Sequence, residues 1–224
     1  INKLDREGKD AFDLMDEVEQ KLKLRVTPLS FPIGMGYDFQ GIYNIWEKNI
    51  NLFEGDSRKN IEETIAFDDI NNPELEKIIG EKPANRLREE LELIEEVYPA
   101  FSLEEYLSGD LQPVFFGSAL NNFGVRELLD CFVEIAPTPR AKESDTRLVH
   151  PEEEKLSGFV FKIHANMDPK HRDRLAFIKI VSGTFEKNKP YLHVRLGKNL
   201  KFSSPNAFFA EKKEIVDISY PGDI

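Results

Sequence analysis

The chain has 224 residues, 40% of them apolar and 11% aromatic, which is enough for one large or two modest domains with real cores. Charged residues make up 32% and no run approaches the roughly 18 consecutive apolar positions of a membrane span, so a soluble, intracellular chain without a signal peptide is expected. The single cysteine, Cys131, excludes an internal disulfide framework and any multi-cysteine metal site. Its place in LLDCFVEIA, at helical spacing, predicts an inert buried thiol. The chain opens with Ile1 and not Met, so an upstream segment is expected to have been removed.

The net charge of −11 is unevenly spread. Residues 150–224 hold 13 Lys+Arg against 10 Asp+Glu, a net of +3, and residues 1–149 carry −14. Residues 54–110 alone have 6 basic and 17 acidic side chains, whereas residues 168–201 have 9 basic and 3 acidic. An acidic chain of this kind still offers one locally basic surface to an anionic partner such as RNA.

In chain order, Asp10 is placed to cap a helix whose apolar positions Ala11, Met15, Val18 and Leu22 form one face. Residues 25–33, with Pro28 and Pro32, suit a strand near a sheet edge. A Gly-punctuated stretch follows over 34–43, and Trp46 and Phe53 fall in text that reads as core. From residue 60 to 109 the pattern turns acidic and helical, with a Leu87, Leu91, Ile94 stripe, and Pro73, Pro83 and Pro99 are expected to break it into short helices. Next, PVFFG at 113–117 predicts a buried strand. Residues 125–136 predict a helix with Leu128, Leu129, Phe132 and Val133 inward, stopped by Pro137 and Pro139. Strand, loop, helix in this order is α/β grammar. Residues 140–155 are polar and predict a linker. Beyond it, short alternating runs at 159–164, 175–181, 191–196, 206–210 and 214–218 predict an all-β barrel or sandwich, incomplete because no closing strand is visible after residue 218.

Two short motifs carry chemistry. Asn2, Lys3 and Asp5 spell NKLD, a guanine-reading motif of GTPases, at the start of a strand-to-helix loop. The Asp5 carboxylate offers two coplanar acceptors that match the ring N–H and exocyclic amino group of guanine. Adenine presents an acceptor in place of that ring donor and lacks the amino group, and buried polar mismatches of this kind discriminate by about four to five powers of ten. Lys3 is suited to lay its alkyl stem along the base with its ammonium hydrated, and Asn2 has a donor and an acceptor with which to tie the loop to neighbouring backbone. The second motif, Ser118-Ala119-Leu120, follows the PVFF strand at its carboxyl end, where α/β folds bind ligands. There the small Ala119 lets its backbone N–H approach the guanine carbonyl oxygen.

With these residues in place the chain resembles a translational GTPase of the elongation factor G group. NKLDREGKDAFDLMDEVE, FPIGMGYDFQGIYNI and PVFFGSALNNFGVRELLDCFVEIAPTPR resemble the second half of its GTPase domain, and SGFVFKIHANMDPKHRDRLAFIKIVSGTFEK with YPGDI resembles the β-barrel domain after it. The HANMDPKHRDR and FFGSALNNFGV wording is most similar to members that act in translation termination. The fold implied is a portion of an α/β GTPase domain over residues 1–145, an incomplete P-loop-type sheet with an acidic helical insertion at about 54–110, followed by a truncated all-β barrel over 146–224.

The function implied is that of a cytoplasmic, ribosome-dependent GTPase that promotes departure of the stop-codon-reading release factors. Its cofactors would be GTP or GDP with Mg²⁺ in the full-length parent. Its partners would be ribosomal RNA and ribosomal proteins, those release factors and the guanine nucleotide, with no membrane and no DNA. By resemblance Asn2, Lys3, Asp5, Ser118, Ala119 and Leu120 would contact the guanine. Elongation factor G itself, a ribosome-protection GTPase and a non-catalytic RNA-binding module remain open alternatives.

One departure shapes the expectation. No Gly-x-x-x-x-Gly-Lys-Ser/Thr occurs, because the only Gly-Lys pairs, Gly8-Lys9 and Gly197-Lys198, lack the other members. Phosphoryl transfer is mostly positioning and charge neutralisation, so this chain is expected to keep a base-reading half and to lack catalytic residues, metal ligands, tightly bound nucleotide and turnover of its own. The early strands of the sheet would also be missing, leaving an edge that favours self-association. His150, His164, His171 and His193 have no metal-ligand spacing, and Asp68-Asp69 has helix-surface character.

Overall fold

The computed structural model describes residues 1–53, 64–165, 174–209 and 212–224, which form two compact units, Ile1–Ala136 and Pro137–Ile224.

The first unit opens with the loop of residues 2–9 and then helix α1 (Ala11–Leu22). Asp10 starts the helix by accepting the Phe12 N–H at 2.9 Å, and Lys23 ends it in the left-handed conformation. Ala11 and Met15 are buried and Val18 packs beside them, but Leu22 is exposed, because the helix turns its last apolar position away from the core. The predicted strand over 25–33 is two strands broken at Leu29: β1 (Arg25–Pro28) and β2 (Ser30–Ile33).

The break lets the chain serve two sheets. β1 pairs in parallel with β6 (Leu111–Val114), whereas β2 leads an antiparallel sheet with β3 (Gly41–Asn44), β4 (Asn49–Leu52) and β5 (Thr64–Ala66) in sequential order. Phe31, Ile33, Ile42 and Ile50 from this sheet, with Met15, Val26 and Phe116, form the main core. Trp46 is half-buried, edge-on to Phe101 with ring centres 5.4 Å apart, and Phe53 packs on Phe39 and Phe123.

The acidic stretch differs from its helical prediction at its start, where the described residues begin with β5. Residues 54–60 and 61–63 lie outside the described residues. Three helices follow, α2 (Glu74–Ile79), α3 (Glu81–Val97) and α4 (Leu103–Ser108). Pro83 was expected to break this segment, yet α3 runs through it. It occupies the first turn, where backbone N–H groups have no intrahelical acceptor, so the proline removes nothing the helix needs. Ala84, Leu87 and Ile94 are buried and Leu91 packs against them, so the stripe is core-facing.

After β6 comes α5 (Val125–Ile135), and here the prediction of an inward Leu128, Leu129, Phe132, Val133 face is overturned. Those four are 44–79% exposed, and the buried positions are Glu127, Cys131 and Ile135. Residues four apart share a face, and this ridge meets Leu29 and Phe115, while Glu127 is admitted because its carboxylate accepts the Asn51 amide at 2.8 Å.

Among the described residues of the second unit, the regular elements are strands and one short 3₁₀ turn, Val194–Leu196. The predicted linker contains a hairpin, β7 (Lys142–Glu143) with β8 (Leu148–Val149), locked by a two-pronged Arg147–Glu153 pair at 2.7 and 2.7 Å. β9 (Ser157–Ala165) pairs with β10 (Arg174–Ser182) through two register shifts. β11 (Phe185–Glu186) pairs with β16 (Ile218–Ser219), β12 (Pro190–His193) with β13 (Lys198–Lys201), and β14 (Asn206–Phe209) with β15 (Lys212–Ile215). Gly222 and Asp223 bond to the backbone of Ile180 at 2.9 and 3.0 Å. Each described strand of this unit is paired on one side only, so the described residues form no closed barrel, and the barrel expected here was an incomplete one. Correspondingly, Phe159, Val160, Phe161 and Ile163 of β9 are exposed. Most of the HANMDPKHRDR wording, His171 included, lies outside the described residues.

Two predictions follow from this packing. Burial, reinforced by Glu134 and Glu47, pushes the Cys131 thiol up to about 11. In the folded chain at pH 8 its alkylation is therefore expected to be slow and to accelerate sharply in denaturant; rapid native labelling by mass spectrometry contradicts the assignment. Glu153 is held down at about 2 by the Arg147 guanidinium and the His150 N–H. A lowered carboxylate supports its fold fully above about pH 4.5 and loses that support as pH falls towards 2. An NMR titration should show Glu153 ionised to near pH 2 and Arg147→Ala returning its midpoint towards the ordinary value.

Candidate functional site: two joined loops

The site is built on backbone first. The Ile1 nitrogen donates to Phe115 O at 2.5 Å, Gly117 N donates to Ile1 O at 3.0 Å, and Leu4 N donates to Gly117 O at 3.2 Å, so the chain entering NKLD runs beside the chain leaving β6. Phe116 N adds a bond to the buried Ser30 hydroxyl at 2.9 Å. Leu4 and Phe116 lie in the core beneath. The two loops therefore leave one edge of the core together.

In the first loop Lys3 takes a left-handed conformation, φ 73°, and its carbonyl accepts Arg6 N at 3.1 Å, which closes a turn around Asp5. The Lys3 side chain is exposed. Asp5 is the unusual member. One carboxylate oxygen, Oδ2, stands 3.8 Å from Arg6 Nε, and the other, Oδ1, is sealed from solvent with no hydrogen-bond partner among the described residues. Leaving such a group unpaired costs about 1–3 kcal/mol.

In the second loop Ser118 and Phe123 exchange backbone bonds at 2.9 and 3.0 Å around a 3₁₀ turn, Ala119–Asn121, which Asn122 ends in the left-handed region. Ser118 is buried and its hydroxyl accepts the Asn121 amide at 2.9 Å. Ala119 and Leu120 are exposed, Leu120 at 78%. The turn is closed by glycines that tolerate no side chain: a Cβ on Gly117 would stand 2.4 Å from Phe123 O, and one on Gly124 2.4 Å from Phe116 O.

Asn2 joins the loops. Its Oδ1 accepts Lys3 N at 2.7 Å and Ala119 N at 2.8 Å. The Ala119 N–H, expected to approach a guanine oxygen, is thus committed to Asn2 in this structure. All six sequence-predicted residues lie on these two loops, with Asn2 and Ala119 in direct contact.

Sequence reasoning missed the third element, a turn at Gly36–Asp38 whose Gly36 N bonds to Leu4 O at 2.9 Å. The signal present was the glycine spacing in PIGMGYD. Elsewhere, His193 Nδ1 accepts Leu196 N at 3.2 Å, and Asp68-Asp69 occupy a loop and not a helix surface, with Asp69 accepting Asn71 N at 2.9 Å. No three His, Cys, Asp or Glu side chains group as a metal site among the described residues, and no described helix is long and apolar enough to cross a membrane.

The arrangement thus sets a carboxylate with one sealed, unpartnered oxygen on a loop that Asn2 joins to the Ser118-Ala119-Leu120 turn. Residues 155–224, in the second unit, match the family model for elongation factor G domain 2, a β-barrel domain. That match supports a translational GTPase of the elongation factor G group, with the ribosome and guanine nucleotide as the partners its family suggests.

Proposed function

We propose that residues 1–136 are the base-reading portion of the GTPase domain of peptide chain release factor 3, a ribosome-dependent GTPase that promotes departure of stop-codon-reading release factors. The observation that carries the reading is the buried, unpartnered Asp5 Oδ1 on a loop whose neighbour is bonded to the Ser118-Ala119-Leu120 turn through Asn2. A guanine ring N–H and amino group supply the donors that this carboxylate lacks, whereas adenine leaves it unpaired. Lys3 covers the base with its stem, and Ser118, Ala119 and Leu120 line the opposite edge. In the full-length cytoplasmic protein the nucleotide is GTP or GDP with Mg²⁺. No residue here supplies a phosphate cradle, so the 224-residue chain with Mg²⁺ releases no phosphate from GTP. The termination role rests on the FFGSALNNFGV and HANMDPKHRDR wording.

Calorimetric titration of the full-length protein tests the base assignment. GDP is expected to bind far more tightly than ADP. Asp5→Ala removes the preference. Asp5→Asn exchanges one acceptor for a donor and transfers the preference towards xanthosine nucleotides, whose ring carries a carbonyl where guanine has its amino group. Undiminished guanine selectivity in Asp5→Ala ends the reading.

Ribosome docking is assigned to the second unit on a separate observation. Arg195, Lys198 and Lys201 are exposed around the β12–β13 hairpin and make no ion pair among the described residues, whereas Lys187 and Lys189 are paired to Asp217 and Glu186. Phosphate contacts release counterions, about 0.7–0.9 per contact in the slope of log affinity against log salt. Replacing the three cations by Ala should lower that slope for ribosome binding by up to about 2–3; an unchanged slope removes the hairpin from the interface.

A further inference from the structure

The turn at Gly36–Asp38 sits in the β2–β3 connection and closes on the loop that carries Asp5. Gly36 N donates to Leu4 O at 2.9 Å, Tyr37 N donates to Glu7 Oε1 at 3.3 Å, and the Glu7 carboxylate covers Gly36 so closely that a Cβ there would stand 2.2 Å from Oε1. Gly36 has φ +61°, and Gly34, at φ +78°, has its own Cβ direction closed by Asp38 O at 2.1 Å. Three chemical features thus converge on a turn whose own residues 36–38 are not buried: two left-handed glycines, a backbone bond and a carboxylate lid.

Leu4, the residue before Asp5, is held from both sides, its N–H by Gly117 O and its carbonyl by Gly36 N. Glu7, two residues after Asp5, reaches across to the same turn. Asp5 is therefore bracketed. We propose that Glu7 is a positioning residue for guanine selection, clamping the Gly36–Asp38 turn against the base-reading loop so that the Asp5 carboxylate keeps one orientation. The inference rests on the guanine reading of Asp5.

The physical need is specific. Selection against adenine depends on the carboxylate being unable to escape a mismatch, and a carboxylate free to swing into water meets its hydrogen bonds there and no longer discriminates. Loss of the clamp therefore lowers the GDP-to-ADP affinity ratio more than it lowers overall nucleotide binding. A residue that served stability alone would weaken both nucleotides alike.

The test uses the full-length protein, GDP and ADP as probes, and calorimetry with amide hydrogen exchange. Glu7→Ala is expected to reduce the GDP-to-ADP ratio about tenfold and to speed exchange at Gly36 and Tyr37, while Glu7→Gln, which keeps an acceptor oxygen for the Tyr37 N–H, restores most of the ratio. Gly36→Ala should cut the ratio by a similar factor. Its added effect should shrink in a Glu7→Ala background, where the new methyl group no longer meets the carboxylate. In the wild type GDP, and not ADP, should protect the Gly36 and Tyr37 amides. A folded Glu7→Ala protein with the wild-type ratio overturns the inference. If Asp5→Ala abolishes guanine preference in the same series, that failure belongs to Glu7 alone; a wild type that binds both nucleotides equally overturns the guanine reading and this inference together.

Discussion

A carboxylate oxygen taken out of water and given no donor raises the energy of whatever holds it, so a chain keeps one only where its surroundings leave it no better place to go. Asp5 is held in that way. Leu4 is buried and bonded at both its backbone groups, the Lys3–Arg6 turn closes around the aspartate, and Asn2 fastens the loop to Ala119 across the gap between strands. The rest of the first unit supports these few bonds. The β1–β6 pair sets the height at which residues 115–117 leave the sheet, and Ser30 corrects their direction with one hydroxyl.

The division of labour between backbone and side chain is uneven. Most of the site's geometry comes from main-chain bonds and from glycines whose missing Cβ permits close approach, and among the described residues Asn2 and Glu7 join the three segments through side-chain polar atoms. A main-chain scaffold is stiff because its dihedrals are shared with the strands it continues. Loops built this way locate a functional group more reliably than long side chains on an open surface, which carry rotamer entropy of their own.

How far the sequence was legible depended on how local the determining physics is. The cap at Asp10, the Leu87 and Ile94 stripe and the buried run around Phe116 were readable because neighbours in sequence decide them. Which face of α5 turns inward was not, because four large apolar residues outweigh Glu127, Cys131 and Ile135 in any periodicity, and the buried glutamate is bonded to Asn51, far away in sequence. Pro83 misled for a similar reason: a proline breaks a helix by position, and its position in the first turn was invisible until the helix start was known. Strand pairing in the second unit was partly legible as alternation, but alternation does not state how many partners each strand finds. At the site, NKLD and Ser118-Ala119-Leu120 were legible as words, and their joining through Asn2 was suggested only by its bonding capacity. The glycines of the Gly36 turn were visible, but its contact with Leu4 was not, because a bond between residues 4 and 36 leaves no trace in local pattern.

The paired glycines at the end of β6 have a consequence for how this region is able to vary. Each is barred from a side chain by the carbonyl of the residue preceding the other, Phe123 O against Gly117 and Phe116 O against Gly124. The obstruction is mutual, and neither block is made of a flexible group that another substitution would trim. A side chain at either position therefore forces the main chain opposite it to move. Such a locus behaves as a fixed point of the bend that carries Ser118, Ala119 and Leu120.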